Sequence, residues 1–182
     1  MGDRTLAKYP QLKTSAMLFA PTLEEHYAIF GRFFAPNDKV LDVGCGDGSF
    51  AKRIGAVGVD ENTDLSTIDF SAFDTLLFSE SLGYLSYHEF LYYFQAVRPK
   101  KLVFKDFMSL TPQDVPHFNY NFELFHMGVL PFLLKQGYQT NMSLFVPNIE
   151  RWKMLLSECG LNFYSADGVQ NVIATFQRGG NT

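Results

Sequence analysis

The stretch Val40-Leu41-Asp42-Val43-Gly44-Cys45-Gly46-Asp47-Gly48-Ser49 constrains the fold of this chain more than any other. An apolar run of strand length passes into an acid, then glycines at alternate positions, then a helix start. Three glycines let the backbone turn sharply and approach a ligand with no Cβ atoms in the way. Asp47 or Ser49 is suited to cap the following helix, and Lys52 and Arg53 sit near its end, where cations favour the dipole. Gly55 is a natural stop. The pattern is a strand, a ligand-binding turn and a helix, which is the unit of a parallel α/β sheet.

Two other glycine loops fit poorly. A dinucleotide fingerprint requires G-x-G-x-x-G, but the third glycine here is Gly48 and position 49 is serine. A phosphate-binding P-loop ends in Gly-Lys-Ser/Thr, and the chain has no Gly-Lys pair. The order Asp42-x-Gly44-x-Gly46-x-Gly48 instead resembles the first motif of the class I S-adenosylmethionine-dependent methyltransferases. That cofactor carries a sulfonium and an ammonium and no phosphate, so an acid at Asp42 is an asset. The resemblance implies S-adenosyl-L-methionine as cofactor, lying against Asp42, Gly44, Cys45 and Gly46.

Downstream residues extend the resemblance. Ala56-Val57-Gly58-Val59-Asp60-Glu61 is a short apolar run ending in acids. In a parallel sheet, ligands bind beyond the carboxyl ends of the strands, so Asp60, with Glu61 beside it, is expected next to the loop with two oxygens for the ribose hydroxyls. A plain turn acid is the competing reading. Thr67-Ile68-Asp69-Phe70 and Phe73-Asp74-Thr75-Leu76-Leu77-Phe78-Ser79-Glu80 resemble the family's third and fourth strands. By that resemblance Asp69 accepts from the adenine amino group, Phe70 flanks the ring, and Ser79 and Glu80 lie near the methionine part. Asp69 reads equally well as a solvated loop acid.

The remaining elements alternate. Thr22 begins a helix with Leu23, Tyr27, Phe30 and Phe34 on one face; Ser86 and Glu89 form a capping box for a helix to about Val97; Leu102–Phe107 reads as a strand. Residues 147–159 read as a helix stopped by Gly160, and 161–165 with 171–176 as a closing hairpin. Residues 1–21 read as an arm or lid and 108–146 as an irregular, substrate-side insertion. The expected fold is one domain spanning 1–182, a three-layer α/β/α sandwich. By the resemblance its sheet is mostly parallel and seven-stranded, with the last strand antiparallel and the third-strand region shortened.

Composition narrows the partners. A formal net charge of −4 gives no basic field to concentrate nucleic acid. The two cysteines, Cys45 and Cys159, form no disulfide framework or metal motif, and no metal is expected. With no secretory signal and no apolar run of membrane length, the cytoplasm is the expected compartment. An activated methyl donor requires mainly a nucleophile held near attack distance, with a base only where the acceptor must lose a proton. Glu80 and His117 are the candidate catalytic residues, with His88 and His126 as further titratable neighbours; each histidine also reads as an ordinary surface or structural side chain. The expected acceptor is a small molecule. A protein or RNA acceptor and a non-catalytic, methyltransferase-like interaction module are the alternatives.

Overall fold

The computed structural model describes residues 14–19, 23–109, 123–146 and 169–179. Among these residues seven strands form a single sheet: β1 (Thr14–Phe19), β2 (Val40–Val43), β3 (Val57–Val59), β4 (Thr75–Ser79), β5 (Lys101–Ser109), β6 (Tyr138–Val146) and β7 (Val169–Arg178). Their spatial order is β1-β6-β7-β5-β4-β2-β3. Strand β7 runs antiparallel to both of its neighbours, β5 and β6, while every other pairing is parallel. The expected mostly parallel sheet with an antiparallel last strand is therefore present.

Side-chain alternation along the strands divides the core in two. Leu41, Leu76, Phe78, Leu102 and Phe104 face one side, where they meet helices α3 (Tyr87–Val97) and α4 (Leu130–Lys135). Phe78 and Phe104 stack there with centroids 4.9 Å apart. Val40, Leu77 and Val103 face the other side, under Phe30 of helix α1 (Leu23–Gly31) and Phe50 of helix α2 (Ser49–Ile54). Helix α3 begins with the expected capping box: Glu89 N–H donates to Ser86 Oγ, and Ser86 N–H donates to Glu89 Oε2. Helix α2 is capped differently from expectation. Its N-cap is Gly48, with no side-chain bond, while Asp47 Oδ1 accepts from Ser49 N–H. Gly55 ends it in the left-handed conformation.

Three expectations require correction. The third strand does not form. Residues 65–72 make two short 3₁₀ turns, Leu65–Thr67 and Phe70–Ala72, and each is held by an Asp-x-Ser unit. Asp64 Oδ1 accepts from Ser66 N–H and Oγ–H, and Asp69 Oδ1 does the same with Ser71. Such local bonds offer the backbone an alternative to a ladder, so the sheet ends at β3. The seventh strand comes from residues 14–19, inside the stretch read as an arm, at the opposite edge. The segment 108–146 is also more regular than expected. Strand β5 reaches Ser109, a π-helical turn spans Glu123–Val129, α4 carries Pro131 in its first turn where proline is tolerated, and β6 follows. The expected helix over 147–159 and strand over 161–165 lie outside the described residues. Among the described residues, no helix is long and apolar enough to cross a membrane.

Candidate functional site

Strand parity places the polar residues of the sheet. On β2, β4 and β5 the positions two beyond Val40, Leu77 and Val103 are Asp42, Ser79 and Lys105. These three therefore share the α1 face, at the carboxyl ends of their strands. Helix α1 does not close over them. A cleft of ≈ 700 Å³ remains, floored by Asp42, Ser79, Glu80 and Lys105, rimmed by Gly44, Cys45, Gly46 and Asp47, and flanked by Asp60 and Glu61. Tyr27, Phe30, Phe50 and Tyr84 supply its aromatic walls. Strands β2 and β4 are neighbours, and the chain leaves β2 for β3 on one side and β4 for β5 on the other, which makes their carboxyl ends the switch point at which open α/β sheets bind ligands.

The glycine loop is held tightly on one side and open on the other. Gly44, Gly46 and Gly48 all have positive φ (77°, 58° and 72°). Gly44 N–H and Cys45 N–H both donate to Val59 O, at 2.8 and 3.1 Å, which fixes the loop to the end of β3. A Cβ on Gly46 would meet nothing within 4 Å, leaving it facing open space. Gly46→Val is therefore expected to fold with no clash at its Cβ, at a backbone cost of order 1–3 kcal/mol because a β-branched residue is strongly disfavoured at positive φ. The same branched side chain is expected to abolish ligand binding at the loop. Thermal melting and calorimetry on one sample check both halves.

Asp42 is 2% exposed, and its Oδ1 has no hydrogen-bond partner among the described residues. Burial alone pushes its pKa up to about 7. Asp60 is more solvated. Its Oδ1 accepts from Asn62 N–H at 2.9 Å and from Thr63 Oγ–H at 3.0 Å. The turn role weighed for this acid thus occupies one carboxylate oxygen and leaves Oδ2 with no partner among the described residues. Glu80 has a φ of 54°, a conformation that costs a non-glycine residue of order 1–3 kcal/mol. It is held there by a backbone bond to Lys105 O at 2.7 Å and by its side chain, whose Oε1 lies 2.9 Å from Lys105 Nζ.

Of the expected cofactor residues, Asp42, Gly44, Cys45, Gly46, Asp60, Glu61 and Ser79 line this cleft, as does Glu80. Asp69 and Phe70 do not. Asp69 caps its 3₁₀ turn, and the Phe70 ring packs edge-on against Tyr92 and Tyr93 of α3. His117 lies outside the described residues, and His88 is exposed on α3. In the sequence Lys105 belongs to the run Leu102–Phe107 and lies close to the strand-five lysine of the Lys-Asp-Lys-Glu tetrad that ribose 2′-O-methyltransferases carry, but the strand-four aspartate of that pattern is missing. A lysine closing the run Leu102-Val103-Phe104, in a strand buried on both faces, was the available signal. Nothing in the sequence marks Glu80 for a left-handed backbone.

No family model and no curated protein matches the chain. Solved structures do. Geranyl diphosphate C-methyltransferase from Streptomyces coelicolor A3(2), in complex with Mg²⁺, geranyl diphosphate and S-adenosyl-L-homocysteine, aligns with a TM-score of 0.57 at 14% identity, covering 86% of this chain and 81% of that one. A geranyl diphosphate methyltransferase in complex with geranyl diphosphate and sinefungin gives 0.59 at 11% identity, with 97% and 93% covered. An S-adenosylmethionine-dependent methyltransferase from Mesorhizobium loti gives 0.51 at 13%, with 84% and 97% covered. The chain has the class I methyltransferase fold. In this methyltransferase fold two 3₁₀ turns follow β3 where the sequence resemblance implied a third strand, and β1 forms the opposite edge of the sheet.

Proposed function

We propose that the protein binds S-adenosylmethionine across the glycine loop and transfers its methyl group to a small-molecule acceptor. The observation that carries this reading is the charge of the cleft. Asp42, Asp47, Asp60 and Glu61 line the loop end together, with the open Gly46 between them. The acids Asp47, Asp60 and Glu61, joined by Asp42 as it ionises around pH 7, repel a pyrophosphate and attract a cationic ligand. The orphaned Oδ1 of Asp42 is a buried acceptor in want of an N–H donor. The solved neighbours, whose ligands are adenosylhomocysteine and sinefungin, agree with the same cofactor class.

When bound, the cofactor supplies a methyl group already activated on a cationic sulfur. The protein's own residues then have three tasks. Gly46 gives the backbone access to the ligand, Asp42 and Asp60 take its donors, and the aromatic walls exclude water while Glu80 and Lys105 hold the acceptor side. Positioning of this kind supplies most of the acceleration when no difficult proton transfer is involved.

Asp60 gives a direct test. Its Oδ2 is suited to accept a ribose hydroxyl, an interaction of a charged acceptor worth about 1.5–3 kcal/mol. Asp60→Asn keeps an oxygen for the Asn62–Thr63 turn and removes the charge. Calorimetric titration with adenosylhomocysteine is expected to show affinity about 10- to 100-fold weaker than the parent. Tight binding of NAD without binding of adenosylhomocysteine by the parent protein would defeat the proposal.

A further inference from the structure

Lys105 is the unusual residue of the acceptor side. Its side chain is 2% exposed, yet it lines the cleft at the end of β5, and its one partner among the described residues is Glu80 Oε1. An ammonium carries three donors, so this pair leaves donor capacity at the cleft floor. Glu80 is half exposed, on a left-handed residue at the strand end, and solvates the ammonium from one side only. A buried charge needs either full hydrogen bonding or a further partner. The cleft also sorts its charges. Asp42, Asp47, Asp60 and Glu61 gather around the glycine loop, whereas Lys105 is the cation among the described residues that line the cleft. Tyr84, 88% exposed, stands at the same end with Glu80.

Resting on the cofactor reading above, we infer that the acceptor is an aromatic or otherwise apolar carboxylic acid, its carboxylate seated on Lys105 and its body against Tyr84. A monoanion fits better than a phosphate, because a lone ammonium already shared with Glu80 does not balance two charges amid four further acidic side chains. An amine acceptor would find a cation in its place. The ionised carboxylate oxygen needs no proton removed: its O–CH3 bond forms as the cofactor's S–CH3 bond breaks, the electron pair stays on sulfur, and the products are a methyl ester and neutral adenosylhomocysteine. Glu80 then holds Lys105 in place when the site is empty and yields to the substrate's carboxylate, which makes it a positioning residue and not a base.

The experiment is calorimetric titration of the adenosylhomocysteine-loaded protein with benzoate, phenylphosphonate and benzylamine. Benzoate is expected to bind tighter than the other two. Lys105→Met is expected to weaken benzoate at least tenfold while leaving adenosylhomocysteine affinity unchanged, since a charge-assisted contact is lost. Glu80→Gln, at a half-exposed position that tolerates the change, is expected to tighten benzoate about three- to tenfold by removing the competing carboxylate. A purely structural ion pair would not produce that gain. Preference for benzylamine, stronger binding of the phosphonate, or weaker benzoate binding by Glu80→Gln would each overturn the inference. Failure of adenosylhomocysteine to bind at all would instead strike at the cofactor reading.

Discussion

Gly44→Ala is expected to destabilise the protein by about 2–5 kcal/mol, a large share of a typical domain's stability. A Cβ at this position would lie 2.5 Å from Ser81 Cβ and 3.3 Å from its Oγ. Ser81 is itself buried, directly after the strained Glu80. The loop has no room to retreat, because Gly44 N–H and Cys45 N–H are both tied to Val59 O. Overpacking of a fixed core site costs about 1–3 kcal/mol, and the φ of +77° adds about 1–2. Gly46→Ala, two residues on, meets only the backbone cost. Urea denaturation of the two alanine variants is the check, and equal losses would show that Ser81 does not press on the loop.

The second large effect is a dependence of stability on pH. Asp42 has its pKa raised by desolvation from 3.8 to about 7 in the folded chain. Between these values the folded state holds a proton that the unfolded state has released, so stability falls as pH rises from about 4 to 7 and is level above. Three units correspond to about 4 kcal/mol, and a partial expression of about 2–4 kcal/mol is expected. Asp47 and Asp64 have lowered pKa values because their turns donate hydrogen bonds to them, so their contributions run the other way and are lost below about pH 4. Asp42→Asn is expected to flatten the slope between pH 4 and 7 and to be more stable than the parent at pH 8. Chemical denaturation at a series of pH values measures this. An unchanged slope in the variant would place the proton elsewhere.

Local chemistry was legible in this sequence, and long-range pairing was not. Asp42-x-Gly44-x-Gly46-x-Gly48, the Gly55 stop and the Ser86–Glu89 capping box each act within a few residues, so pattern alone located them. Asp60 follows from the rule that ligands gather at the ends of parallel strands, whereas Asp42 belongs to the glycine motif itself. Strands β1 and β6 were missed. Their sequences, TSAMLF and YQTNMSLFV, lack a clean alternation, and their register joins Thr14 to Met142, a partner no local signal can name. Asp69 and Phe70 were assigned by the family's strand order, whereas the Asp-x-Ser unit that claims Asp69 is itself written in the sequence and argued for a turn. The acceptor side needed the sheet register, since only the pairing of Ser79 with Lys105 brings the two strand ends level.

The position of β7 also bears on how such a chain is made. It lies between β5 and β6, and β1 and β6 reach the other four strands of the sheet only through it. A ribosome delivers residues 169–178 after all six other strands, so the sheet exists until then as two separate parts. The part containing β2, β3, β4 and β5 holds the glycine loop and both ends of the cleft floor, and its contacts are the shorter in sequence. That half is positioned to condense first, and the slow, non-local closure falls to the last strand. Until β7 arrives, the facing edges of β5 and β6 are open to strangers, the interval in which chaperone protection of the nascent chain matters most.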